Sequence, residues 1–319
     1  MKKLWILPIF LAATFGCQNA KEMKFPATKH LIAEKASIDA VMFPAFMALE
    51  QDMLIVSRFK GDSILYFYSR PDLKYLGSAG KTGEGPEEFR IIPQFCSNTS
   101  GRLIVSNLGN LLSIKEIEID SLLRIKIKKD FKFKRHDIKN NMFLKNDSTL
   151  FIFDMDILSI NRYDFKQGEY TGKISINEAD KRATGSFDPD FGYPIYNDSV
   201  VIYLYEYKDR LDIYDLENLT LKKKIVGPGE TYIDKAVWKQ SNLYYTIGYA
   251  GEKCFYVFNR SRGATKDDYT MQTFSYDGEP ITEYTFDITP GAPFVVDEKN
   301  GYIYSFNYQH EDYLLRYKL

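Results

Sequence analysis

From about residue 40 onward, apolar and polar residues alternate with period two in short runs separated by Asp, Asn, Ser and Gly. Such alternation predicts half-buried strands, and helical periodicity is nearly absent. One run recurs. DMLIVSR at 52–58 and GRLIVSN at 101–107 share the string LIVS, and the same slot returns as STLFIFD at 148–154, SVVIYLY at 199–205, SNLYYTI at 241–247 and GYIYSFN at 301–307. With Leu54, Leu103, Leu150, Val201, Leu243 and Ile303 taken as equivalent, the spacings are 49, 47, 51, 42 and 60, with a mean near 50. A repeat of that length suits one four-stranded propeller blade.

Each unit follows one plan. An inner strand (FMALE, PQFCSN, MFLKN, YPIYN, KAVWK, PFVVD) leads into a turn such as NTSG, NDS or EKNG, made of residues that tolerate positive φ. The LIVS-type second strand follows, then an alternating third strand (SILYFYS, RLDIYDL, CFYVFNR) and a more polar outer one (LKYLGSA, YTGKISI, LTLKKKIV). The last unit stops at YLLRYKL, its third strand, while a strand-like segment at 29–40, KHLIAEKASIDA, precedes the first inner strand unassigned. If that segment supplies the missing outer strand, the ring closes and no edge is left open. The expectation is an all-β fold: a six-bladed β-propeller over residues 29–319, closed by an N-terminal strand that completes the last blade.

The first 17 residues read differently. MKK is a positive start, LWILPIFLAATF is an apolar run too short to cross a bilayer as a mature helix, and the run ends in Gly-Cys. This resembles the signal peptide and cleavage box of bacterial lipoproteins, which implies export, lipidation of Cys17 and a polar tether over 18–28. Thr14 and Phe15 stand where that family has Leu and a small residue. Gln18 does not resemble the Asp of inner-membrane retention, so the resemblance implies the outer membrane, on either face. Multiple acyl chains would hold the protein there without a transmembrane helix.

Composition narrows the classes further. With 42 basic and 43 acidic residues, the chain has no basic excess for nucleic acid. The basic stretch from Lys115 to Asn140 alternates with Ile, Leu and Phe, as a solvated strand face does. The 24 Tyr and 23 Phe favour strands. Cys96 and Cys254 fall in predicted strands far apart in the repeat scheme, and are expected to be buried free thiols.

One stretch offers chemistry at first sight. GSAGKTGEGPEEF at 77–89 contains Gly-Lys-Thr, but a phosphate-binding loop needs a Gly at position 75, which is Tyr75, and a helix afterwards, which two Gly and a Pro forbid. The stretch instead lies where the first blade crosses to the second. GKTGEGPEEFRIIPQF resembles the G-x-x-G-x-GPGEF-x-x-P segment of NHL-type and TolB-like six-bladed propellers, through Gly80, Gly83, Gly85, Pro86, Glu88, Phe89 and Pro93, with Glu87 in place of the second Gly of GPGEF. VGPGETYI at 226–233 is a fainter echo. Residues 29–319 as a whole resemble bacterial TolB-like propeller lipoproteins. In the crossover the glycines are expected to reverse the chain and Phe89 to fill the gap between blades.

No catalytic motif stands out. His30, His136 and His310 form no spaced pair, DPDFG at 188–192 lacks the Glu at the twelfth position of an EF-hand, and FDMD at 153–156 reads as strand-end acids. No metal site and no cofactor are expected. Propellers bind at the mouths of their central channel, and the residues ending the second strands point to one such rim. By the repeat alignment these ends are Arg58, Asn107, Asp154, Tyr205, Ile247 and Asn307. Of them the polar and aromatic Arg58, Asn107, Asp154, Tyr205 and Asn307, with neighbouring Glu206 and Tyr249, are the candidate binding residues. The favoured function is a non-enzymatic, lipid-anchored envelope protein that binds a protein or glycan partner. The alternative is a hydrolase or lyase acting on a glycan or lactone, with or without a metal. The TolB resemblance also implies capture of a peptide within an envelope complex.

Overall fold

The computed structural model describes residues 23–38, 43–58, 62–83, 85, 88–89, 92–98, 101–107, 113–133, 141–176, 188–229, 243–260, 269–310 and 312–319. It is a ring of six sheets. Blade one holds Pro44–Glu50, Met53–Arg58, Leu65–Ser69 and Tyr75–Ala79 from channel to rim; blade two holds Gln94–Phe95, Leu103–Asn107, Ser113–Ile119 and Ile125–Lys132. Blade three holds Met142–Asn146, Thr149–Asp154, Ser159–Asp164 and Glu169–Ser175, with Ser97–Asn98 added in parallel to its inner strand. Blade four holds Gly192–Tyr196, Val200–Tyr205, Arg210–Asp215 and Thr220–Val226.

Blade six contains Phe294–Asp297, Tyr302–Phe306 and Tyr313–Lys318, and its outer strand is Ala33–Ser37, antiparallel to the last strand from Ala33 opposite Tyr317 to Ser37 opposite Tyr313. The chain's beginning therefore completes its final wedge, as the strand count requires. The closing segment does a second job as well. Ala27–Leu31 adds a fifth, parallel strand to the rim of blade five, Ala27 opposite Thr282 and Leu31 opposite Phe286. The sheet thus begins two residues inside the expected tether. Met23 and Phe25 also pack against the cluster between blades four and five, Phe25 edge-on to Phe274 with ring centroids 5.3 Å apart.

Blade five differs from the sequence reading. Its inner strand is Tyr245–Ala250, its second Cys254–Arg260, its third Tyr269–Ser275 and its fourth Pro280–Phe286. SNLYYTI is thus not the second strand, and KAVWK at 235–239 lies outside the described residues. The true second strand, CFYVFNR, is buried on both faces along six of its seven residues. A strand covered on both sides reads as a continuous apolar run, which alternation does not separate from a third strand. Phe255 then takes the place of Leu243, and the two flanking spacings become 54 and 48 instead of 42 and 60.

The core is the set of seams between blades. Six buried apolar clusters occur among the described residues, one per seam, including the seam from blade six to blade one, where Tyr304, Phe306 and Leu314 meet Leu54, Val56 and Tyr68. Phe89, 1 % exposed, sits in the seam of blades one and two, so the crossover plugs the gap as the motif implies. Its glycines wrap Glu88: Gly85 N–H donates to Glu88 Oε2 at 2.9 Å, and a Cβ on Gly83 would lie 1.9 Å from the same oxygen. Cys96 and Cys254 are buried and unbridged.

Candidate functional site

Inner strands run along the channel and end at one mouth in tight turns; second strands run back and end at the other. A cavity of about 830 Å³ opens where the inner strands end, and is lined among the described residues from blades one, two, four, five and six. Its polar lining comes from the turns between first and second strands: Glu50 and Gln51, Gly101 and Arg102, Asn197 and Asp198, Gly251 and Glu252, Asp297 to Lys299. Tyr249, Phe294 and Phe95 contribute rings.

Hydrogen bonds divide these charges into two groups. Asp297, 1 % exposed, is paired with Arg70 of blade one at 2.8 Å and accepts 2.7 Å from Asn300 Nδ2. Glu298 reaches into blade five, where it accepts from the Glu252 and Lys253 N–H groups at 2.8 and 2.9 Å and from the Tyr256 hydroxyl at 3.0 Å. Arg102 is held by Glu116 at 3.1 Å and Asp147 at 2.7 Å. These groups are structural ties. Glu50 and Glu252 carry carboxylates with no hydrogen-bond partner among the described residues, and exposed Asp198 stands at the same mouth. Burial raises the pKa of Glu50, and the Arg70 charge opposes that shift. Burial also raises that of Tyr249, with Glu298 and Asp297 adding to it. The mouth is therefore acidic with aromatic walls, suited to cationic or hydroxyl-rich groups.

The candidates predicted from sequence separate. Tyr249 lines this cavity. The others end second strands at the opposite mouth, as the pairing of Arg58 with Pro44 and of Tyr205 with Gly192 shows. Arg58 donates to the Tyr66 hydroxyl at 2.9 Å and lies over its ring. Asp154 caps its own turn, accepting from Asp156 N–H at 2.9 Å. Asn307 Nδ2 donates to Thr289 O at 2.7 Å. Glu206 is half-buried, and burial raises its pKa against donors from Tyr193 and Tyr207. Asn107 closes its strand opposite Ser113. Tyr205 is fully buried and its hydroxyl donates to Asp212 at 3.0 Å, so it belongs to the blade-three seam rather than the rim. Ile247 lies on the inner strand of blade five. Cys17 and His136 lie outside the described residues. Among the described residues no three His, Cys, Asp or Glu side chains are placed to hold a metal ion.

A family model for TolB-like six-bladed propellers matches residues 21–299. The chain belongs to the TolB-like six-bladed propeller family. Solved structures repeat the fold at low identity. A Bacteroides fragilis protein named as an exported one shares 10 % identity, with 91 % of this chain and 98 % of that chain covered and a TM-score of 0.52. U3-55K shares 6 %, covering 90 % and 98 %, and the WD40 repeats of RRP9 share 6 %, covering 90 % and 100 %, each with a TM-score of 0.51. At such identity the likeness is one of fold. No curated protein is similar to the chain in sequence.

The cavity residues absent from the sequence reading, Glu50, Arg102, Asp198, Glu252 and the Asp297–Glu298 pair, all stand in or beside the recurring tight turns. The repeat alignment identified those turns; what it lacked was the choice between the two mouths.

Proposed function

We propose that this TolB-like propeller is exported, tethered to the outer membrane by a lipid on Cys17, and binds a protein or glycan partner at the mouth where its inner strands end. The observation that carries this reading is the cavity of about 830 Å³, walled by five blades and rimmed by carboxylates not committed to the fold. Its size is that of ligand-binding clefts, and Tyr249 and Phe294 offer faces for a sugar ring or an apolar side chain. The partner presents basic or hydroxyl groups to Glu50, Asp198 and Glu252. Export is supported by the MKK start and apolar run ending in Gly16-Cys17, and by the Bacteroides neighbour's name.

Two measurements test it. Radiolabelled palmitate should enter the wild-type chain and not Cys17→Ser. Pull-down from native membranes should recover a partner that is lost with Glu50→Gln/Glu252→Gln and kept with Arg58→Ala/Glu206→Gln at the opposite mouth. The reverse pattern would move the site to the mouth predicted from the second strands; loss with neither pair would end the reading.

A further inference from the structure

A second cavity, about 360 Å³, lies in the seam between blades four and five. Its polar lining includes Asp209, Asn259, Gln272 and Glu283, the first three 6, 6 and 9 % exposed. Phe25 and Tyr244 supply aromatic walls.

The preceding seam shows what this space omits. Asp212, in blade four, pairs across its strands with Tyr203, and Gln272, in blade five, pairs likewise with Val257, so the two occupy one position of the repeat. Both face the preceding blade. Asp212 is closed over by Arg210, two residues earlier, whose Nε and Nη2 reach its oxygens at 2.7 and 2.5 Å. The residue two before Gln272 is Thr270, whose short side chain reaches only to Glu283 Oε1 at 3.5 Å. This cavity therefore keeps its acids and lacks the cation: no Lys or Arg is among its described lining residues.

The hydrogen bonds are one donor short. Gln272 Nε2 donates to Glu283 at 3.3 Å, which fixes the amide with its oxygen toward Tyr245. The Tyr245 hydroxyl lies 3.2 Å from Asp209 Oδ1 and 3.5 Å from Gln272 Oε1, and its one proton serves only one of them. The nearer carboxylate is the better acceptor, so the amide oxygen of the buried glutamine keeps only a 3.5 Å contact at the limit of hydrogen bonding, a costly state for a buried group. Asp209 itself is cradled by the segment from Gly227 to Gly229. Gly229 N–H donates to its Oδ2 at 2.8 Å, and a Cβ on Gly227 would lie 2.2 Å from that oxygen.

We propose that this seam binds a small organic cation, a guanidinium or primary amine, that takes the place Arg210 fills one blade earlier. Its N–H groups meet Glu283, Asp209 and the Gln272 oxygen, and its stem lies against Phe25 and Tyr244.

Isothermal titration of the detergent-solubilised full chain with agmatine is the test, with succinate as the anionic control. Saturable one-to-one binding of agmatine alone is expected, at least tenfold weaker in Glu283→Gln. Thr270→Arg places a guanidinium in the seam from within, and should abolish agmatine binding while raising the thermal midpoint of the ligand-free protein. Absence of saturable binding at millimolar agmatine overturns the proposal, as does binding unchanged in both variants. If Glu50→Gln rather than Glu283→Gln removes it, agmatine sits in the central cavity and the seam assignment falls.

Discussion

Asp297→Ala should cost this protein more than any other single change at the turns. The carboxylate is 1 % exposed and its partner Arg70 7 % exposed, at 2.8 Å. Removing the acid leaves a nearly buried guanidinium, whose Nε has no partner among the described residues and whose Nη2 keeps only the Gln51 carbonyl. Breaking a buried pair from one side typically costs about 3–5 kcal/mol, because the remaining charge stays desolvated. The unfolding entropy of a chain this long is about 0.6 kcal/mol per kelvin, so the melting temperature should fall by about 5–8 °C. Replacing both partners, as Arg70→Met/Asp297→Leu, should recover most of the loss, because neither charge is then buried. Arg70 also draws down the Glu50 pKa, so the comparison is best made in the Glu50→Gln background. Guanidinium melts followed by circular dichroism give the three free energies. If Asp297→Ala lies within about 1 kcal/mol of the parent, or the double variant is no better than the single one, the seam does not depend on this pair in the way argued.

Three other outcomes follow from the same geometry. Burial pushes the Cys96 and Cys254 thiols up to about 12, so Ellman's reagent at pH 8 should find neither in the native protein and both in guanidinium. Glu50→Gln should stabilise the protein at pH 7 and not at pH 3. The folded pKa is raised, so ionisation above it costs the native state more than the unfolded one, and that penalty disappears once the carboxyl is protonated in both; equal effects at the two pH values would contradict it. A chain starting at residue 39 loses Ala27–Leu31 and Ala33–Ser37 together, which bares the edge of Tyr313–Lys318; size-exclusion chromatography should show oligomers or aggregate in place of a monomer.

The repeat was legible because each blade must bury both its faces, and period-two strands separated by Asn, Asp and Gly turns write that need into the sequence. The closing strand was legible by subtraction, since a final unit of three strands leaves an edge that something must cover. Blade five was misplaced where burial on both sides erased alternation in Cys254–Arg260. The functional mouth was harder still. Strand ends at both mouths are polar, and only the three-dimensional hydrogen bonds distinguish Glu50, left over, from Glu298, consumed by the neighbouring turn. Tyr205 illustrates the converse, since a tyrosine that ends a strand reads as rim until Asp212 and Arg210 are seen to close over it.

Six wedges of one design pose a problem of order, because each presents an apolar face to whichever neighbour arrives. The apolar clusters supply the energy of packing, at roughly 25 cal/mol per Å² buried, but they discriminate poorly between similar partners. Discrimination falls to charges that cross the seams, and these differ in kind from one to the next: Arg102 with Asp147 between blades two and three, Lys145 with Glu217 between three and four, Lys223 with Glu279 between four and five. Such half-exposed pairs contribute about 1 kcal/mol or less each, too little to hold a blade but enough in sum to penalise a wrong neighbour carrying like charge. The buried pair, Arg70 with Asp297, stands at the seam where the chain's two ends meet. Every other seam joins blades that follow one another along the chain, whereas this one joins the first blade to the last. A desolvated pair accepts only its own partner, so the strictest selection operates at the closure that covalent connectivity specifies least.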